Sequence, residues 1–198
     1  MLFILHSSFT IQHLLMKSLR RIFFYLNKYF MVPVFRMGLG RFIGNPFSGY
    51  IMVLKTIGRK SGLTRYAPVN YAILDGHIYC LSGFGKKAHW YRNLSTNPQI
   101  NLILPSATIS GRAETVTNTD EWLRTVRQIL KNSGFATFFS GINPFTISGE
   151  DLKEKAKEMV VIRIAPNGIY AGYADPGGKL WFWLTVFVIA LIIIFIKC

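Results

Sequence analysis

The sequence predicts an α+β protein built on a small, mainly antiparallel β-barrel, with an amphipathic helix before it and an apolar helix after it. Three observations carry this expectation. Six short strand-like segments fall between positions 50 and 164 and outnumber the helical patterns among them. The two-residue turns Asp75-Gly76 and Pro105-Ser106 join neighbouring segments, and so short a link closes an antiparallel hairpin, whereas a parallel pair needs a long crossover. Short strands with few helices favour a barrel over a doubly wound sheet. The expected organisation is a membrane-associated helix over 1–32, the barrel over 33–178 and a C-terminal anchor over 179–198.

At the N-terminal end, Ile11, Leu15, Leu19, Ile22, Leu26 and Phe30 recur at helical spacing, while Lys17, Arg20, Arg21 and Lys28 project to the other side. Apolar burial and attraction to anionic headgroups would hold such a helix in the membrane plane. Packing on its own domain is the alternative, because Phe24 breaks the polar face. A secretory leader fits less well. No basic residue precedes Lys17, and His6, Ser7, Ser8, Gln12 and His13 interrupt the leading apolar stretch.

In the body, strands are expected at 50–57, 64–74 and 77–81, then a short helix over 89–97 ended by Pro98, then strands at 99–104 and 107–116. A helix follows over 120–131 with Thr119 as N-cap, then a Gly- and Phe-rich loop over 132–148. A charged helix over 150–158 and a last strand over 160–164 complete the domain. Beyond it, 180–196 carries no charge, lies between Lys179 and Lys197, and has Trp181 and Trp183 where an interfacial aromatic belt would sit. It is at the short end of what crosses a hydrocarbon core of roughly 30 Å. The expectation is a single-pass anchor in the cell membrane, with the basic domain on the cytoplasmic side. A buried core helix is disfavoured because the segment has no polar face.

The 198 residues carry 23 Lys and Arg against 9 Asp and Glu, a formal charge of +14, which implies an anionic partner. Phospholipid and a phosphorylated cofactor both qualify. Nucleic acid is not expected, because no helix-turn-helix, zinc-finger or ribonucleoprotein signature appears and the basic residues are dispersed. Cys80 and Cys198 show neither disulfide nor metal-ligand spacing, and the histidines at 6, 13, 77 and 89 lack ligand spacing, so no metal is expected. A Ser-His-Asp set or paired carboxylates cannot be assembled.

The run from Val53 to Arg65 is the most informative. Gly58 and Gly62 permit a tight turn, and Arg59, Lys60 and Ser61 between them aim cationic and hydroxyl donors outward. Lys55 and Arg65 add charge if the flanking segments pair. Guanidinium groups grip phosphate or carboxylate through paired bonds, so the cluster suits an extended anionic ligand. Taken alone, the same run also fits a solvated hairpin turn or a patch attracted to anionic lipid.

Gly58-Arg59-Lys60-Ser61-Gly62 stands ahead of Arg65, Pro68, Tyr71, Asp75-Gly76, Ser82-Gly83-Phe84-Gly85, Trp90-Tyr91-Arg92-Asn93-Leu94 and Asn97-Pro98. In that order and spacing the set resembles the deazaflavin-dependent nitroreductase family, over roughly 27–104. Members are split-barrel, FMN-binding-like proteins that use reduced coenzyme F420 to reduce quinones and nitro compounds. The resemblance implies that Arg59, Lys60, Ser61 and Arg65 hold the phosphate and polyglutamate tail. Pro68, Val69 and Asn70 would line the cofactor groove, and Leu81, Ser82 and Gly83 would approach the ring. His89, Trp90, Tyr91 and Asn93 would open a helix whose N-terminus favours an anion.

Hydride transfer of this kind needs no protein nucleophile, since the cofactor carries the chemistry. The proton for the acceptor would come from Ser82, Tyr71 or solvent. Trp90 fits a packing role equally, and Tyr71 an ordinary strand role. Relatives carry tyrosines over the substrate pocket where this chain has Phe135, Phe138 and Phe139, which leaves the acceptor open. The implied protein is a membrane-anchored, F420-dependent reductase acting on a quinone such as menaquinone or on a nitro compound. FMN is the alternative cofactor, and a non-catalytic cofactor-binding membrane protein the alternative role. A homodimer through a sheet face is common among such barrels, and an anchor can take its place.

Overall fold

Strand β1 (Ile51–Ile57) pairs antiparallel with β2 (Thr64–Leu74), and β2 with β3 (His77–Ser82). Strand β4 (Gln99–Ile103) pairs with β5 (Thr108–Thr115), β5 with β6 (Val160–Ile169), and β6 returns to β3. Pairing of β1 with β4 closes the barrel in the order β1-β2-β3-β6-β5-β4, with every pair antiparallel. The structure is a computed structural model describing residues 22, 25–134, 137, 141–169 and 180–197. Asp75 and Gly76 have φ of 50° and 75°, the paired positive values that a two-residue hairpin turn requires.

Alternation along the strands divides the apolar residues between the inside of the barrel and two covered outer faces. Met52, Leu54, Ile78, Cys80, Ile100, Leu102, Ile162 and Ile164 fill the interior. On one outer face Ala72, Tyr79 and Val161 lie under Val126, Ile129 and Leu130 of α3 (Thr119–Asn132) and Leu152 of α4 (Gly149–Lys155). The 126/129/130 spacing is one helical stripe, which is why α3 lies along the sheet. On the other face Met31 and Phe35 pack against Val53 and Ile103. They belong to a π-helical turn (Asn27–Met31) running into α1 (Val32–Arg36). Helix α2 (His89–Thr96) sits between β3 and β4 in sequence.

Three expectations are corrected here. The N-cap of α3 is Asn118, not Thr119: the Asn118 backbone is extended and its Oδ1 accepts from the amides of Asp120 (3.0 Å) and Glu121 (2.9 Å). The last strand continues past 164 to Ile169, although Pro166 donates no hydrogen bond. It stands opposite Gly111, where the register shifts between Ser110 and Gly111, and an irregular position tolerates proline. The third concerns the C-terminal segment. Helix α5 (Leu180–Lys197) forms, and its 18 residues rise about 27 Å against a roughly 30 Å core. Among the described residues no helix is long and apolar enough to cross a membrane.

Of the N-terminal stripe, Ile11, Leu15 and Leu19 lie outside the described residues. Ile22, Leu26 and Phe30 are exposed, so this part of the stripe does not pack on the barrel; that contact falls to Met31 and Phe35. Phe135, Phe138 and Phe139 lie outside the described residues.

Candidate functional site

The β1–β2 hairpin sets Thr56 opposite Arg65 and Ile57 opposite Thr64, so both strands deliver their ends to the glycine-bounded turn. Gly58 N–H donates to Leu63 O (2.8 Å), and Gly62 N–H to Gly58 O (2.8 Å), which closes the turn on itself. Gly62 has φ of +65°, a conformation that a side chain disfavours. Within the turn Ser61 Oγ accepts from Arg65 Nη2 at 3.3 Å and from Leu63 N–H at 3.4 Å. Lys60 is exposed at the tip.

Helix α2 is fastened to this turn by Asn93. Its Oδ1 accepts from both the backbone N–H and Nη1 of Arg59, each at 3.2 Å, and its Nδ2 donates to Thr56 Oγ1 at 3.4 Å. Asn93 and Thr56 are buried. The ion pairs found among the described residues, Arg124 with Asp75 and Arg163 with Glu114 and Glu121, leave the turn's cations aside. Arg59 and Arg65 are therefore oriented by a neutral amide and a neutral hydroxyl, and no carboxylate among the described residues pairs with either.

Ahead of α2, a 3-10 turn (Gly85–Lys87) presents two further lysines, and Arg92 Nε donates to Lys86 O at 3.2 Å. No side chain caps α2, whose N-terminus carries the positive end of the helix dipole. Sequence reasoning missed Thr56, Lys86 and Lys87. The Lys86-Lys87 pair just before His89 was a readable signal, whereas Thr56 becomes relevant only through its contact with Asn93.

The remaining expected residues separate by strand face. Val69 packs on the interior core, whereas Pro68 and Asn70, one step away on either side, belong to the opposite face opposite Val53 and Ile51. Asn70 Nδ2 donates to Tyr50 O at 3.4 Å. Leu81 packs under α3 and α4, while Ser82 is buried and its Oγ donates to Gly85 O at 2.7 Å. Gly83 and His89 are exposed. Trp90 and Tyr91 are half-buried against the interior core, and Tyr91 Oη lies 3.4 Å from Thr115 Oγ1. Tyr71 also packs on that core, with its backbone held by Tyr50 and by Asn132 Nδ2. Burial first, and the neighbouring Tyr50 second, raise its pKa above the ordinary 10.0, so the phenol keeps its proton.

A cleft of about 180 Å³ opens between α2 and β5, with Tyr91, Ser95, Glu114 and Thr115 in its walls. It is smaller than the roughly 300 Å³ of a typical cofactor pocket, and of the expected residues only Tyr91 reaches it. The basic β1–β2 turn, hereafter the cradle, is the better candidate because it brings Arg59, Lys60 and Arg65 together around Ser61.

The closed antiparallel barrel, with a cationic hairpin turn tied to α2 through Asn93, is a split barrel. Residues 31–142 match the model of the F420H(2)-dependent quinone reductase family, and the chain belongs to that family. It is thereby an oxidoreductase of the F420-dependent class. No curated protein matches it. Among solved structures it is similar to a protein from Listeria innocua described as a pyridoxamine 5'-phosphate oxidase, at 19% identity and TM-score 0.44, over 61% of this chain and 86% of that one. It is also similar to a protein from Bacteroides thetaiotaomicron described as a 5-nitroimidazole antibiotic resistance protein, at 12% identity and TM-score 0.46, over 61% and 74%. A conserved hypothetical protein from Mycobacterium tuberculosis aligns at 18% identity and TM-score 0.45, over 61% and 75%.

Proposed function

We propose that this protein reduces a lipid-soluble quinone with hydride from reduced coenzyme F420, nitro compounds being the alternative acceptors. The observation that carries the reading is the cationic hairpin turn whose arginines are oriented by Asn93 and Ser61 without a carboxylate partner. The donor set fits the coenzyme: a phosphate and a tail of carboxylates need several uncancelled cations along an open groove. When bound, the reduced coenzyme supplies the hydride.

Each residue then has a task on its own side of the exchange. Arg59, Lys60, Ser61 and Arg65 hold the phosphate and tail. Val69 and Trp90, seated on the barrel core, give an apolar wall that limits water, and the exposed backbone at Gly83 leaves open space beside the third strand. Hydride and one proton convert a quinone to its hydroquinone, and Tyr71 keeps its phenolic proton available for that step. Ser82, with its hydroxyl turned to Gly85, holds the loop that carries Gly83.

Attachment to a membrane would bring the site to its acceptor, because confinement at a bilayer raises the local concentration of a lipid-soluble substrate. The exposed apolar residues Ile22, Leu26 and Phe30, and the exposed face of α5 from Val186 to Ile196, support it. The deciding experiment is a titration of the protein with reduced F420 followed by fluorescence, then oxidation on adding a menaquinone analogue. Tight binding with acceptor-dependent oxidation is expected. Binding of FMN near 1:1 with no deazaflavin binding would transfer the site to FMN, whose single phosphate fits the Arg59–Arg65 corner. Deazaflavin binding without oxidation by any quinone or nitro acceptor would leave a binding protein.

A further inference from the structure

Asn93 is 5% exposed and lies 34 positions from the arginine it contacts. A carboxamide oxygen has two lone pairs, and here both are engaged, one by the backbone N–H of Arg59 and one by its Nη1. The amide nitrogen faces Thr56. A ligand at the turn therefore finds no acceptor lone pair left on the buried Asn93 side chain.

We propose that Asn93 is a positioning residue: it fixes the Arg59 guanidinium for the coenzyme's anionic groups while leaving its charge uncancelled, and so sets coenzyme affinity without contacting the coenzyme. The inference rests on the cradle reading given above. A carboxylate at 93 would orient Arg59 at least as firmly but would neutralise it, and an aliphatic residue would leave a long side chain free to sample many rotamers that binding must then freeze. An amide is the side chain that orients a guanidinium at no cost in charge. Ser61 treats Arg65 in the same way, through a neutral hydroxyl at 3.3 Å. Thr56 completes the arrangement, because a buried amide N–H without a partner is costly.

The test titrates coenzyme F420 into the full chain by fluorescence for wild type, Arg59→Ala, Asn93→Ala, Asn93→Asp and the Arg59→Ala/Asn93→Ala pair, with an unfolding temperature for each. Asn93→Ala is expected to weaken binding about tenfold, as Arg59→Ala does. The double variant should match Arg59→Ala within about twofold, because both act through one guanidinium. Asn93→Asp should weaken binding at least as much while its unfolding temperature does not fall, since Asp pairs with Arg59. In turnover the loss should appear in KM for the coenzyme more than in kcat. Wild-type affinity in Asn93→Ala or Asn93→Asp, or losses that multiply in the double variant, would overturn the proposal. If Asn93→Ala does not fold, Asn93→Asp decides. Unchanged affinity in Arg59→Ala would instead remove the cradle reading itself.

Discussion

At Tyr71, burial and the neighbouring Tyr50 hold the phenolic proton more firmly than water would. Its folded pKa lies above the ordinary 10.0, chiefly by desolvation and next by Tyr50, so the phenol is protonated throughout the physiological range. Turnover with a quinone should therefore be flat between about pH 6 and 9, and Tyr71→Phe should lower kcat by about 10²-fold while coenzyme affinity holds. An unchanged kcat would assign the proton to solvent. Tyr79 is raised the same way, by burial and then by its 2.8 Å bond to Glu121. Raised folded values contribute stability that is complete below about pH 10 and lost as pH climbs through the folded pKa, so these two groups should lower the unfolding temperature on the alkaline side, and the drop should be smaller in Tyr79→Phe. Cys80 is fully buried in the barrel, and burial pushes its thiol pKa far up. In a Cys198→Ser background the folded protein should resist alkylation and react once unfolded.

The elements themselves were readable where local chemistry decides them. Asp75-Gly76 forced a hairpin, and the glycine-bounded run made a cationic turn. What the sequence hid was long-range. Three consecutive residues, Pro68 to Asn70, read as one groove wall, yet a strand sends neighbours to opposite faces, and only the pairing with β1 shows which one faces inward. Ser82 and Asn93 read as ligand contacts, and their partners, Gly85 O and the Arg59 guanidinium, become visible only once the chain is folded. The loop after β3 gives a test at this scale. A Cβ on Gly85, which has φ of +55°, would overlap the carbonyl oxygen of Glu158, whereas one on Gly83 meets nothing within 4 Å. Gly85→Ala should cost about 2–3 kcal/mol in urea unfolding and weaken coenzyme binding by shifting the Ser82 contact. Gly83→Ala should stay within about 0.5 kcal/mol. Equal costs would mean that the loop does not rest on Glu158.

For the whole molecule, the formal charge of +14 and the apolar ends make separate demands. The proposed cradle would use a few cations, and the rest would give the protein a long-range pull toward an anionic surface. The exposed face of α5 and the exposed Ile22, Leu26 and Phe30 would add apolar burial once contact is made. These two terms respond differently to salt. Electrostatic attraction is screened within about 10 Å at 0.1 M ionic strength, whereas apolar burial is not. The intact chain should cosediment with vesicles of mixed anionic and neutral phospholipid and remain bound at high salt. Removal of residues 180–198 should leave a protein that still binds vesicles at low salt but is released as salt rises, with coenzyme affinity unchanged because the contacts that orient Arg59 and Arg65 come from Asn93 and Ser61. If intact and shortened chains sediment alike at every salt concentration, α5 is not a membrane attachment. If neither binds at low salt, the basic surface serves the cofactor alone, and the quinone must reach the site without help from the bilayer.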